Sequence, residues 1–241
     1  MTVRGRVSLG LMVFCACIAG CATSTARVHP EFAQRRATIK SVAVMPPSVE
    51  VVLITFTGDN QPLYDVAARV KQEAVLLIEE EMEHRGFVIT KARVEEADLA
   101  KESEERFEVT QMLANFQRRT EEIFRSGKKG DFRYSLGPEV SYFGDRADAN
   151  ALIFATIKGY QKSAGEITKD VIQGILIGAL TGTYVAPPSA AAQIQAALVD
   201  ATTGKMLWYD DGGGSYDVGD RQSVASLVKG VFNGFPTDTK K

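Results

Sequence analysis

Cysteine occurs three times in the 241 residues, at Cys15, Cys17 and Cys21, and not once from Ala22 to the C-terminus. A domain built from that remainder can form no disulfide and has no thiolate for catalysis or zinc. Histidine is almost as scarce, with only His29 and His84, so a Ser-His-Asp triad has no plausible base. Positive charge is not in excess either. Lys and Arg number 28 against 30 Asp and Glu, a net −2 that becomes −4 without Arg4 and Arg6. Phosphate binding needs clustered positive charge, so nucleic acid is not expected as a partner. No apolar run reaches the roughly 20 residues that a straight membrane-spanning helix needs.

What is present begins at the N-terminus. Arg4 and Arg6 precede an apolar run from Leu9 to Ile18 and then small residues, the layout of a secretory signal. Its end, Ile18-Ala19-Gly20-Cys21, resembles the lipobox of bacterial lipoproteins. The resemblance implies diacylglycerol on the Cys21 sulfur and removal of residues 1–20. It also implies a place: Ala22 stands where aspartate would signal retention in the inner membrane, so the periplasmic face of the outer membrane is expected. Residues 21–38, polar with Pro30 and Arg35-Arg36, read as a lipidated tether, with order starting near Ile39.

From there the patterns alternate. Ile39 to Met45 and Val49 to Thr55 read as strands around Pro46-Pro47. Leu63, Val66, Ala67, Val70, Ala74, Leu77 and Ile78 follow the helical period, with Pro62 in the first turn and Gly86 at the end. Phe87 to Thr90 reads as a strand, and Val109, Met112, Leu113, Phe116, Ile123 and Phe124 as a second helical stripe. The segment from Asp131 to Asp145 reads as mixed, mostly loop. Ala151 to Tyr160 is a buried strand, and residues 193–198 and 205–209 form a hairpin about Asp200 to Gly204. Gly212-Gly213-Gly214 is expected to break the chain before an amphipathic helix through Val224, Leu227, Val228, Val231 and Phe232. The result is one α/β domain at 39–235, a mixed sheet packed against two to three helices.

Val42-Ala43-Val44-Met45-Pro46-Pro47 before a long helix, Ala147-Asp148-Ala149 before the central strand, and Leu198-Val199-Asp200-Ala201-Thr202-Thr203-Gly204-Lys205-Met206-Leu207-Trp208 together resemble a bacterial lipoprotein superfamily. Its members include the curli secretion lipoprotein, peptidoglycan synthase activator lipoproteins and small outer-membrane lipoproteins similar to the N-terminal domain of TolB. The resemblance implies a TolB N-terminal-domain-like fold over residues 39–232. The departure is an apolar, glycine-rich insertion at 161–189.

Catalytic motifs are incomplete. Gly213-Gly214-Ser215-Tyr216-Asp217 has Asp217 where a nucleophile elbow needs glycine, and Gly127-Lys128-Lys129-Gly130 lacks the rest of a P-loop. Asp210, Asp211, Asp217 and Asp220 can supply oxygen to calcium, yet their spacing is not that of an EF-hand, and ordinary turns use the same residues. No metal, cofactor or catalytic residue is expected, and no enzyme activity. The insertion carries Gly174, Gly178 and Gly182 around Ile175 and Leu176. Glycine at every fourth residue leaves a smooth strip on a helix face, which suits close backbone approach. Three readings stay open for it: a buried connection, a self-association or membrane contact, and a hairpin entering an oligomeric barrel.

The expected function is a non-enzymatic, lipid-anchored periplasmic module that binds an envelope protein and supports assembly or transport. The alternatives are a homo-oligomeric secretion-pore subunit, a peptidoglycan synthase activator and, last, a hydrolase. Trp208 and Tyr209 are adjacent on a strand, so one is expected to face inward and the other outward, with Trp208 partly buried.

Overall fold

The computed structural model describes residues 26–90, 103–126, 131–170 and 188–236. Cys21 and the cluster of Gly174, Ile175, Leu176, Gly178 and Gly182 lie outside the described residues. The strands are β1 (Arg27–Val28), β2 (Ser41–Val44), β3 (Ser48–Ile54), β4 (Asn60–Pro62), β5 (Val88–Ile89), β6 (Ala151–Lys162), β7 (Ala190–Asp200) and β8 (Met206–Gly214). The helices are α1 (Phe32–Arg36), α2 (Tyr64–His84), α3 (Ser103–Ser126), α4 (Val140–Arg146) and α5 (Arg221–Phe232), and residues 164–170 are also helical.

β6 is the spine of one mixed sheet in the order β1-β8-β7-β6-β2-β5. One side of β6 pairs antiparallel with β7 along its length, from Ala151↔Asp200 to Gln161↔Ala190. The other side is shared: β2 pairs parallel with its first part and β3 with its second. The break between β2 and β3 falls at Met45-Pro46-Pro47 because proline has no N–H to donate to the ladder. Met45 N–H still donates to the Ile153 carbonyl at 2.9 Å, and β3 then resumes at Ser48↔Thr156.

Both faces of the sheet are covered. On one, Val70, Ala74, Ile78 and Met82 of α2, all fully buried and four residues apart, meet Val224, Leu227, Val228 and Val231 of α5 over Ile153, Ile157, Ile194 and Leu198. A single stripe at that spacing is what an amphipathic helix presents to a sheet. Arg85, just after α2, donates to the Phe232 carbonyl at 2.7 Å and so ties the two helix ends together. On the other face, Met112, Phe116 and Ile123 of α3 and Val140 and Phe143 of α4 cover Leu152, Phe154, Ala197 and Val199. The fold is therefore the mixed α/β sheet packed against helices that the chain pattern suggested, with helices on both faces.

Four local expectations are corrected. The fold starts at β1, not at Ile39: Arg27 pairs with Tyr209, Val28 with Trp208, and Phe32 is buried in the α2–α5 core. The polar composition of 26–38 hid this, because a two-residue edge strand and a one-turn helix leave almost no periodic signal. Pro62 closes β4 instead of opening α2. The segment from Asp131 to Asp145, read as mixed with loop signals, leads into and largely contains α4 (Val140–Arg146). Gly212-Gly213-Gly214 does not break the chain but extends β8, pairing with Ile194, Gln193 and Ala192. Glycine is required at 213, where a Cβ would lie 2.8 Å from the Ala192 carbonyl oxygen.

Trp208 and Tyr209 are both buried, at 0% and 1% exposure. They do point to opposite faces, but each face has its own core. Trp208 stacks on Phe232 with centroids 5.2 Å apart, and Tyr209 lies under the α3 face beside Phe132. The β7–β8 turn is held by Asp200, whose Oδ1 accepts from Thr202 N, Thr203 N and Thr203 Oγ1 at 2.8 to 3.0 Å. Gly204 completes it at φ +68°, a conformation L side chains seldom adopt.

Candidate functional site

The α3 face of the sheet changes character along its length. Leu152 and Phe154 of β6 are apolar and covered, whereas the next residues of the same face are Thr156, Lys158 and Tyr160. Neighbouring strands follow suit: Ala197 gives way to Gln195 and Gln193 on β7, and Tyr209 to Asp211 on β8. Since alternate residues share a face, these side chains form one polar platform, flanked by Glu50 of β3.

The platform has two connected parts. Under α3, Gln117, Thr120, Glu121 and Arg125 roof a cavity of about 280 Å³ whose floor is Thr156, Lys158, Gln193 and Gln195. Beyond α3 the floor opens into a groove of about 1000 Å³ lined by Glu50, Tyr160, Ala191, Asp211 and Gly213, sharing Lys158 and Gln193 with the first part. The roof is positioned by Gln117, which donates to Ser48 Oγ at 2.8 Å, and by Asn115, which donates to the Leu136 carbonyl at 2.7 Å. Thr156 is 4% exposed and its hydroxyl has no hydrogen-bond partner among the described residues. A buried hydroxyl in that state favours a polar occupant of the cavity. Beneath the groove, the Tyr209 phenol is pushed above its ordinary pKa, first by burial and then by the negative charges of Asp211 and Asp210. It is a neutral group that does not titrate near neutral pH.

The residues singled out from the sequence do not converge here. His29 is not in a tether: it is buried, its Nδ1 accepts from the Glu31 N–H at 3.1 Å, and burial lowers its pKa. His84 is exposed at the end of α2, as a helix-end histidine should be. The aspartates act singly. Asp210 accepts from the Asp211 N–H, Asp217 from Gly219 and Gln161, and Asp220 caps α5 by accepting from Ser223 N at 2.8 Å. Among the described residues no three His, Cys, Asp or Glu side chains gather as metal ligands. The platform itself was half-visible in the sequence, as the alternation of Gln193 and Gln195 with Ile194 and Ala196. Its extent depends on where α3 stops covering the sheet.

No family model and no curated protein matches this chain. Among solved structures it is similar to the PelC dodecamer from Paraburkholderia phytofirmans, at 11% identity over 81% of this chain and 87% of that one, with a TM-score of 0.35. It is also similar to lipoprotein GNA1162 from Neisseria meningitidis, at 13% identity over 81% and 99%, TM-score 0.32. A third is the LpoB C-terminal domain from Salmonella enterica, at 11% identity over 78% and 95%, TM-score 0.26. Among the described residues no helix is long and apolar enough to cross a membrane.

Proposed function

We propose that this chain is a non-catalytic, lipid-anchored interaction module of the cell envelope, held at the periplasmic face of the outer membrane, with the polar groove of β3, β6, β7 and β8 as its partner-binding surface. The observation that carries the reading is the distance between anchor and fold. Cys21 of the Ile18-Ala19-Gly20-Cys21 motif lies six residues before Arg27, which is fixed against Tyr209. Six residues at up to 3.6 Å each reach about 20 Å. The groove is thereby confined near the membrane, where its effective concentration for membrane-bound partners is high. The same shortness weighs against a peptidoglycan synthase activator that must reach across the wall.

The test is palmitate incorporation together with membrane fractionation. The native chain incorporates label and sediments with outer membranes, and Cys21→Ser does neither. Soluble, unlabelled native protein would overturn the reading. The oligomeric state is read from light scattering in detergent. A discrete multimer that becomes monomeric on deletion of residues 171–185 would move the reading to an assembled ring or pore.

A further inference from the structure

The direction in which the chain enters the fold carries an orientation. β1 is antiparallel to β8, so stepping back from Val28 to Arg27 to Ala26 follows β8 forward, from Trp208 through Tyr209 towards Gly214. Gly214 pairs with Ala192, Ala190 with Gln161, and Lys162 with Ile54. At Ala26 the chain is therefore headed towards the sheet end formed by Gly214, Ala190, Lys162 and Ile54. The opposite end holds the Asp200–Lys205 turn, α1 and α4.

The exit end also carries exposed apolar side chains. Phe56, in the turn after β3, is 62% exposed, and Ile167, in the helical residues after β6, is 37% exposed. They belong to one surface: Ser163 N–H donates to the Ile54 carbonyl at 2.9 Å, and a Cβ on Gly165 would stand 3.3 Å from the Phe56 Cβ. Tyr64, at the start of α2 and two residues after Pro62, which pairs with Val52, is 79% exposed. Single exposed apolar residues are ordinary on a protein surface; here they share the end towards which the anchor leads.

We propose that this end is the face the domain lays on the lipid bilayer, with Phe56 and Ile167 at the headgroup boundary. The inference rests on lipidation of Cys21. From the Arg27 level to the end of the sheet is about seven strand residues, Ala197 to Ala190, or about 23 Å at 3.3 Å each. The six residues from Cys21 to Arg27 span about 20 Å at most, so the lipid comes within a few ångströms of that end only on a straight path. To present the other end, the chain would have to reverse. A turn takes about four residues, leaving too few to clear α1. Aromatic and aliphatic side chains on such a face gain from burial in the lipid boundary, as on other proteins held at a membrane surface.

The test uses the lipidated full-length protein in vesicles of phosphatidylethanolamine and phosphatidylglycerol that carry a nitroxide on the upper acyl chain. After lipidation the mature chain has no free thiol, so Phe56→Cys, Ile167→Cys and, at the opposite end, Tyr142→Cys each give one labelling site for a fluorophore. Labels at 56 and 167 are expected to be quenched several-fold more than the label at 142. Equal quenching at both ends, or stronger quenching at 142, overturns the orientation. Mass and vesicle flotation of the same samples separate the two levels: protein that lacks the lipid or fails to float overturns both anchor and orientation, whereas floating protein without the difference overturns the orientation alone.

Discussion

Arg27 stands directly opposite Tyr209 across the β1–β8 pair, and this one register joins the N-terminal segment to a fully buried aromatic core. The His29 N–H continues it by donating to the Leu207 carbonyl at 2.9 Å, and Phe32 then packs edge-on against Phe235 at 5.8 Å. Residues 26–38 are thus structural. A chain starting at Ile39 is expected to unfold at markedly lower urea concentration than one starting at Ala26. In the longer chain, Phe32→Ala alone should cost about 3 kcal/mol, the usual loss for an emptied aromatic site. Equal midpoints for the two chains would return these residues to the role of a tether.

Trp208 is the single tryptophan, fully buried between Phe232 and Phe235, with its indole N–H unpartnered among the described residues. Its emission should be blue-shifted in the folded protein and move to the red on unfolding. Trp208→Ala is expected to cost about 3–5 kcal/mol. Trp208→Phe should cost much less, about 1 kcal/mol, because it keeps most of the ring contact and removes a donor that has no acceptor. Denaturation of the two variants side by side checks the ratio.

Stability should fall in two steps as pH decreases. Burial holds the His29 pKa below its ordinary 6.5, with Lys205 and Arg133 adding to the effect against the opposing pull of Glu31. Between the folded and unfolded values the unfolded chain binds more protons, so stability is complete above about pH 6.5 and declines below it. Glu31, hydrogen-bonded by Lys205, and Asp220, hydrogen-bonded by Ser223, also lie below their ordinary 4.5 and 3.8. Their contribution is present above those values and is lost under more acid conditions. His29→Asn keeps an acceptor for the Glu31 N–H without titrating. It should flatten the first decline and leave the second, as read from urea midpoints taken across the range.

The groove makes a different demand. Thr156→Val removes a buried hydroxyl that lacks a partner, so it should leave stability unchanged or raise it by up to about 1 kcal/mol. Lys158→Glu, at an exposed site, should change stability by less than about 0.5 kcal/mol. If the groove binds the partner, Lys158→Glu alters photo-crosslinking from a probe at Gln193, and a distant charge reversal at Lys229 does not. Identical crosslinks from both variants would remove the groove from consideration.

Much of the fold was legible locally. Val70, Ala74 and Ile78 announced α2 by spacing alone, and the β7–β8 hairpin was marked by Asp200, Gly204 and the alternation before the turn. The polar platform was less visible. Thr156, Lys158, Gln193 and Gln195 lie on two strands whose pairing brings residues nearly forty positions apart into register, and no local period reports that. The lipobox-like Ile18-Ala19-Gly20-Cys21 is local to four residues and lies outside the described residues.

What the sequence by itself determined is therefore what neighbouring residues decide among themselves: the amphipathic helices and the turn chemistry. Only the tertiary structure decided that Trp208 and Tyr209 are both interior, that Gly212 to Gly214 extend a strand, and that the chain enters at β1 towards the end bearing Phe56. The physical reason is that a strand has two faces and two edges. Their fate depends on which distant segments cover them, and here β1 and α5 do so from opposite ends of the chain and α3 from its middle.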